Sequence, residues 1–299
     1  MTRTLITGAN GFTGRYLAPL LAERGHEVHG VVHAANVGTI TGLAAAHQCD
    51  ITEPEAIKAV VAAVRPDAVV HLAAIAFVAH GDVDEMYRTN ILGTRRLLEA
   101  LAGSDYCPKA VLLASSANIY GNAREGVLGE EVPPAPANDY GVTKVASESL
   151  AGIYRERLPL IVVRPFNYTG RGQALNFVIP KIVDHVRRGA VEIELGNLNV
   201  ARDFSDVRGV VDAYVRLLET PAAIGGTFNV CSGRAVPLSE ILALIRQFSS
   251  HDFAVRVNPA FVRAAEVRTL CGTAARIEAA IGPILMPPLE ETLRWMLEP

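Results

Sequence analysis

The chain has 299 residues, 50% of them hydrophobic and 20% charged, enough to bury one large α/β core with a smaller lobe beside it. Its formal net charge is −3 and no five like charges adjoin, which argues against a nucleic-acid or membrane-surface partner. The longest apolar stretch, Ala68–Ala79, is too short to span a bilayer and already contains His71.

The opening Met-Thr-Arg-Thr-Leu-Ile-Thr-Gly runs straight into a strand and a turn, so no secretory leader is expected there. Cys49, Cys107, Cys231 and Cys271 are scattered and form no CxxC, which fits reduced thiols in the cytoplasm. The first half then alternates short apolar runs with helical patterns. Strands are predicted at Thr4–Thr7, Glu27–Val32, Ala68–Leu72, Ala110–Ala114 and Leu160–Arg164. Runs apolar on both faces suit a parallel sheet covered by helices on either side. The first helix ends at Gly25, a C′ glycine. The second is predicted to open on a capping box, Thr52-Glu-Pro-Glu55, with an early-turn proline, and to run through Val64. Helices are also expected over 83–101 and 140–157, the last entered from the Pro-rich Val132–Asn138 with Asn138 or Asp139 as N-cap. The order is that of an α/β doubly wound parallel sheet of Rossmann type. After Arg164 the alternation stops, and segments such as 170–177 and 251–266 read as loops. The division expected is a dinucleotide-binding domain over 1–164 and a mainly substrate-binding C-terminal lobe over 165–299, with segments near 203–231 returning to the main domain.

The first strand leads into Gly8-Ala-Asn-Gly11-Phe12-Thr13-Gly14 and a helix. Gly8 permits the tight turn, Gly11 lets backbone approach a pyrophosphate, and Gly14 lets the helix pack closely. The helix N-terminus then offers N–H groups to the phosphates. An NAD-binding strand normally ends in a carboxylate that grips the adenosine ribose, but the second strand ends Val32-His33. His33 suits a 2′-phosphate, so NADP(H) is favoured over NAD(H), although no arginine stands next to it. His26, His29 and His33 form no metal site on this reading, because His26 faces away from the other two and no carboxylate or cysteine ligand adjoins them.

Tyr140-Gly-Val-Thr-Lys144 places a phenol and an ammonium on one helical face. A free tyrosine, with a pKa near ~10, is a poor proton-exchange partner at neutral pH, and a nearby ammonium is expected to lower it. The strand 110–114 ends in Ser115-Ser116-Ala-Asn118-Ile-Tyr120-Gly121, at the sheet edge where ligands bind and a hydroxyl can hold a reacting oxygen.

These pieces together resemble the extended short-chain dehydrogenase/reductases, which act on nucleotide sugars. The resemblance covers essentially the whole chain: the glycine turn, Cys49-Asp50-Ile51, His71-Leu72-Ala73-Ala74, Thr89-Asn90-Ile-Leu-Gly-Thr94, Ser-Ser…Tyr-Gly, YxxxK and Arg164-Pro-Phe-Asn167 stand in family order. It implies that Asp50 and Ile51 flank the adenine, that Leu72, Ala73, Ala74 and Asn90 line the cofactor, and that Ser116, Tyr140 and Lys144 are catalytic. Further motifs, Asn176–Lys181, Asn199–Arg208, Asn229–Gly233 and Arg263-Ala-Ala-Glu266-Val, look like the GDP-sugar branch of dehydratases and reductases. That branch implies that Asn167, Val178 and Lys181 contact the nucleotide, Arg202 and Arg263 the diphosphate, and Glu266 the ribose; paired guanidinium contacts suit phosphate. Ala264 replaces the proline of the family motif. A 4,6-dehydratase of this branch keeps a glutamate two residues before the Tyr of Tyr-Gly, where this chain has Asn118, a residue able to hydrogen-bond sugar but not to carry a proton. The expected activity is therefore NAD(P)H-dependent reduction of the 4-keto group of GDP-4-keto-6-deoxy-D-mannose to GDP-D-rhamnose, by a homodimer. The alternatives are a 4-epimerase, a reductase giving the C4 epimer (GDP-6-deoxy-D-talose), and a non-catalytic dinucleotide sensor.

Overall fold

The computed structural model describes residues 1–33, 38–76, 82–121, 126–262 and 268–298. Strand β1 (Thr2–Thr7) enters the glycine turn and helix α1 (Phe12–Glu23), which ends at Arg24 before Gly25 at φ +81°. Then come β2 (His26–Val32), β3 (Ala45–Gln48), α2 (Pro54–Val64) and β4 (Ala68–His71). Helix α3 (Val83–Tyr87) continues through a π-helical turn, Arg88–Gly93, into α4 (Thr94–Ala102). Strand β5 (Ala110–Ala114), the short β6 (Val127–Leu128), α5 (Asp139–Tyr154) and β7 (Leu160–Pro165) complete the first half.

Seven parallel strands form the main sheet, in an order that becomes clear once β11 (Thr227–Val230) is included: β11-β7-β5-β4-β1-β2-β3. Strand alternation sorts the core into two layers. Ile6, Val70, Leu112, Ile161 and Val163 face α1 and the later helix that carries Val210 and Tyr214. Leu5, Val69, Val111, Leu113 and Val162 face α2, α4 and α5. Because successive side chains point to opposite faces, a strand buried on both sides has to be apolar throughout.

Between β7 and β11 lie β8 (Asn167–Thr169), α6 (Val178–Arg187), β9 (Glu192–Leu195), β10 (Ala201–Asp206) and α7 (Val207–Leu218), the helix bearing Val210 and Tyr214. After β11 come β12 (Ala235–Pro237), α8 (Leu238–Ser249), β13 (Ala254–Val257), β14 (Thr269–Gly272), α9 (Ala275–Ile281) and α10 (Leu289–Leu297). A second sheet runs β12-β10-β14-β6 with β8 on β10, and β13 pairs with β9. A third core layer, Ile182, Ile193, Phe204, Ile241, Ile245 and Leu293, holds these elements together.

Four expectations change. The capping box at Thr52 does not form: Asp50 Oδ1 accepts from both Thr52 N (2.8 Å) and Thr52 Oγ1 (2.8 Å), and the helix starts at Pro54 without a side-chain cap. The helix of 83–101 is interrupted by the π turn. Strand β3 was hidden because Ala45-Ala-His-Gln is a half-exposed edge strand without an apolar face. The loop expected over 251–266 contains β13.

Among the described residues, no helix is long and apolar enough to cross a membrane.

Candidate active site

The C-terminal ends of the central strands carry the polar residues. At the end of β1, Gly8 takes φ +71°, and a Cβ there would lie 2.9 Å from the Ala73 backbone. A Cβ on Gly14 would lie 2.6 Å from the Ala9 carbonyl oxygen, so α1 sits directly on the turn. No side chain caps α1, and its first-turn N–H groups face the crook of the turn. This cradle fits a pyrophosphate. Phe12 and Thr13, both expected there, are tied to a residue not singled out in the sequence: Tyr168 of β8. Its hydroxyl lies 2.8 Å from Thr13 Oγ1 and its ring stacks on Phe12 at 6.0 Å.

At the outer edge, His33 is exposed at the end of β2, with Nε2 3.9 Å from Asp50 Oδ2. Partial burial works against the Asp50 carboxylate, but hydrogen bonds from Thr52 and the charges of His33 and Arg88 hold its pKa below the usual value. Arg88, which the π turn brings within electrostatic reach of Asp50, stands 55 positions beyond His33 in the chain. Ile51 is buried, with its side chain against Gly93. Leu72, Ala73 and Ala74 are half-buried just beyond β4. Carboxylates do adjoin the histidines, contrary to the sequence reading. Glu27 Oε1 is 3.1 Å from His29 Nε2, while His26 bonds Thr4 Oγ1 (2.7 Å) and lies near Glu219. Among the described residues, no three His, Cys, Asp or Glu side chains are placed to hold a metal ion.

Ser116 begins a single 3-10 turn, Ala117–Tyr120, at the end of β5, and its Oγ accepts from Asn118 N (3.1 Å) and Asn118 Nδ2 (3.1 Å). Asn138 caps α5 by accepting from Gly141 N (2.8 Å), and its amide reaches Asn118 Oδ1 at 3.5 Å. Gly141 makes the approach of helix to turn possible: a Cβ there would lie 2.7 Å from the Asn118 carbonyl oxygen. The cap and the glycine together set Tyr140 beside Ser116.

The electrostatics differ from the sequence expectation. Burial, reinforced by the neighbouring Tyr168 phenol and opposed by the Ser116 hydrogen bond, raises the Tyr140 pKa above its ordinary value. Lys144 does not offset this. Its Nζ lies 5.7 Å from the Tyr140 ring centre and donates to the Ala114 carbonyl (2.8 Å). Burial lowers the Lys144 pKa to about 8, against the pull of Glu148 one turn further on. Tyr140 is therefore a protonated phenol at neutral pH, suited to giving a proton rather than taking one.

The residues expected to hold a nucleotide diphosphate are spread over the second sheet and α6. Asn167 opens β8, which pairs with β10 through Asn167 and Phe204; Arg202 lies two residues before Phe204 on β10. Arg202 Nη1 donates to the carbonyls of Ala201 (2.9 Å) and Arg268 (3.1 Å). Val178 opens α6, and Lys181 Nζ donates to the Glu194 carbonyl (2.7 Å) while lying 4.3 Å from the Phe261 ring centre. Arg263 and Glu266 lie outside the described residues.

A family model described as the NAD dependent epimerase/dehydratase family matches residues 4–231. The chain belongs to that family. It is 34% identical to a GDP-6-deoxy-D-mannose reductase of Pseudomonas aeruginosa, covering 99% of this chain and 96% of the relative. It is 32% identical to a GDP-6-deoxy-D-talose 4-dehydrogenase of Aggregatibacter actinomycetemcomitans, covering 94% and 91%. Among solved structures, a chain from Burkholderia cenocepacia superposes with TM-score 0.92 at 47% identity, covering 99% of this chain and 97% of that one. The RMD of P. aeruginosa, complexed with NADPH, superposes with TM-score 0.84 at 32% identity, covering 99% and 96%. The chain is thus an NAD(P)-dependent oxidoreductase of the Rossmann type, as its glycine turn implied.

Two outcomes follow for the site. Gly141→Ala should lower kcat by roughly 10-fold to 100-fold, since an ångström of misplacement is costly, while the far-UV circular dichroism stays unchanged. Activity that needs the Lys144 ammonium should be level below about pH 8 and fall as the pH rises through that value. In Lys144→Arg, whose charge persists, the residual activity should lack that alkaline limb in the pH–rate profile.

Proposed function

We propose that the protein reduces the 4-keto group of GDP-4-keto-6-deoxy-D-mannose with a reduced nicotinamide dinucleotide, giving GDP-D-rhamnose. The observation that carries this reading is the amide at Asn118, whose Nδ2 donates to Ser116 Oγ (3.1 Å) and whose Oδ1 faces the Asn138 amide (3.5 Å), in the cluster beside Tyr140. The adjacent carboxylate, Asp139, is engaged by the Tyr87 hydroxyl (3.1 Å). Elimination of water requires a group that accepts a proton from carbon, and an amide does not do this. Carbonyl reduction requires only a hydride donor, a proton donor and a hydrogen bond to the oxygen.

The dinucleotide, when bound, supplies the hydride. Gly8, Gly11, Phe12, Thr13 and Gly14 would hold its pyrophosphate, Asp50 and Ile51 its adenosine, and Leu72, Ala73 and Ala74 the segment leading to the nicotinamide. Asn90, expected to line the cofactor, is buried with its amide on Ile75 and Thr143 and would act by holding that segment in place. Tyr140 would deliver its proton to the oxygen at C4, Ser116 would orient that oxygen, and Lys144 would hold the nicotinamide ribose. NADP(H) is favoured over NAD(H), because β2 ends in Val32-His33 with no carboxylate there to take the ribose hydroxyls. The NADPH bound by the P. aeruginosa structure agrees with this preference. Residues 1–164 would form the dinucleotide-binding domain. The lobe 165–299, apart from the return near 203–231, would bind the GDP moiety through Asn167, Val178, Lys181, Arg202, Arg263 and Glu266, with Asn118 on the sugar. The buried, unpaired thiols of Cys49, Cys231 and Cys271 suit the reducing cytoplasm.

A second reading, reduction to GDP-6-deoxy-D-talose, draws on the name of the A. actinomycetemcomitans relative. The two products differ only in the face of C4 that receives hydride. Incubation with the 4-keto sugar and NADPH should consume the reduced cofactor, and NMR of the product sugar assigns C4. Tyr140→Phe should lower kcat by about 10²-fold to 10⁴-fold, the range for losing a general acid. No loss of reduced-cofactor absorbance would rule out the proposal, and turnover without added reductant would favour an epimerase.

A homodimer is supported by exposed apolar side chains on the helices expected to pair: Val83 on α3, Leu92 in the π turn, and Val142 and Ile153 on α5, with Ile153 72% exposed. Ile153→Glu should shift the protein to monomer in sedimentation equilibrium.

A further inference from the structure

Six polar side chains lie buried between the glycine-turn strand and the Tyr140 helix. Thr7, His71, Asn90, Thr94, Thr143 and Ser147 are each 3% exposed or less. Thr7 and His71 are register partners on the parallel strands β1 and β4, so their side chains share a face. Thr7 Oγ1 lies 2.7 Å from His71 Nδ1, and Thr94 Oγ1 lies 2.9 Å from His71 Nε2.

The proton directions along this chain have one solution. Thr94 has a single hydroxyl proton and donates it to the Asn90 carbonyl at 2.6 Å. It must therefore accept from His71, which puts the ring proton on Nε2. His71 Nδ1 is then an acceptor for the Thr7 hydroxyl, which itself accepts the Ala73 N–H at 3.2 Å. The Asn90 side chain continues the path. Its Oδ1 accepts the Ile75 N–H (2.8 Å), and its Nδ2 donates to the Ile75 carbonyl (3.1 Å) and to Thr143 Oγ1 (3.0 Å). Thr143 Oγ1 passes its own proton to the backbone carbonyl of Tyr140 (2.8 Å). Ser147 closes the far side on the Thr143 (2.9 Å) and Asn90 (3.2 Å) carbonyls.

A second proton on the ring would break the pattern. It would turn Nδ1 into a donor facing Thr7 and leave the Thr7 hydroxyl proton without its acceptor. It would also set a positive charge towards the Lys144 ammonium. Burial, with Lys144 adding to it, accordingly lowers the ring pKa to about 3.

We propose that His71, held as the neutral Nε2–H tautomer, is a positioning residue that keeps the Ala73–Ile75 segment in register with Tyr140. The ring ties the end of β1, at Thr7, to Thr94 at the start of α4, and from there the Asn90 side chain carries the link to Ile75 and to Thr143 on the Tyr140 helix, although 69 positions separate His71 from Tyr140 in the chain. The imidazole spans two hydroxyls on opposite sides with one donor and one acceptor, which no aliphatic side chain does. The proposal rests on the reading of Tyr140 as proton donor to a carbonyl, and its test has arms that do not depend on that reading.

In ¹⁵N-labelled wild-type protein, the long-range imidazole spectrum of His71 should show the Nε2–H tautomer and no titration from pH 5 to pH 9. An Nδ1–H tautomer, or titration within that range, overturns the proposal. His71→Phe keeps a planar ring of similar volume and removes both hydrogen bonds. Its kcat should fall by about 10-fold to 100-fold while KM for the nucleotide sugar changes by no more than about twofold. His71→Gln, which restores an N–H towards Thr94, should recover part of kcat. If the phenylalanine variant does not fold, Thr94→Val removes the same link with an isosteric side chain and should show the same split. Wild-type kcat in whichever of these variants folds overturns the proposal. Should the wild type fail to reduce the 4-keto sugar, the substrate reading falls by itself. NADPH fluorescence then reads the network without sugar, and affinity in His71→Phe should weaken about tenfold, the scale of one lost hydrogen bond. Unchanged affinity in that case overturns the proposal.

Discussion

A parallel sheet buried on both faces confines polar chemistry to its strand ends. Between the two edge strands the backbone N–H and C=O groups pair with neighbouring strands, and the side chains of Leu5, Ile6, Val69, Val70, Val111 and Leu112 fill the two core layers. At the C-terminal ends this order stops, and the chain must leave through turns whose backbone groups seek partners. The glycine turn after β1, the His71–Ile75 segment after β4 and the Ser115–Ser116 turn after β5 all emerge at that edge. Their adjacency results from the strand order, in which β1, β4 and β5 are neighbours.

Two close approaches convert that edge into a site. Gly14 lets α1 settle on the glycine turn, and Gly141 lets α5 settle on the Ser116–Asn118 turn. In both places a methyl group would meet backbone, which cannot rotate away as a flexible side chain can. The Arg164–Glu148 ion pair, with contacts of 2.7 and 2.9 Å and a further bond from Arg164 to the Tyr120 hydroxyl, fixes the middle of α5 to β7. This pair also leaves Glu148 close enough to Lys144 to moderate the effect of burial on the ammonium. Position and proton affinity at the site thus share one set of contacts.

Much of the fold is legible in the sequence. Five of the seven main-sheet strands announced themselves as runs apolar on both faces, and the helix boundaries at Gly25, Pro54 and Asn138 carried local chemical signals. Strand β3 escaped because an edge strand need not be apolar. Strand β13 escaped because Ala254–Val257 is largely exposed and, among the described residues, pairs with β9 alone. The capping box at Thr52 failed because the neighbouring Asp50 competed successfully for both Thr52 donors. Sequence spacing does not rank such rivals.

The glycine turn, the Tyr140–Lys144 pair and the amide at Asn118 are readable in the sequence by itself as residue types at short spacings within single elements, whereas Ser116 is singled out from its neighbour Ser115 only by the order of the family's motifs. The tertiary structure alone decided the proton affinities and the partners. Burial and Tyr168, not Lys144, govern Tyr140; Arg88 joins His33 at Asp50; and His71 receives its tautomer from hydroxyls on β1 and α4. The physical reason is the same in each case. Desolvation and hydrogen-bond direction depend on what surrounds a group in three dimensions, and the surrounding residues come from strands and helices brought together only when the sheet closes its two faces.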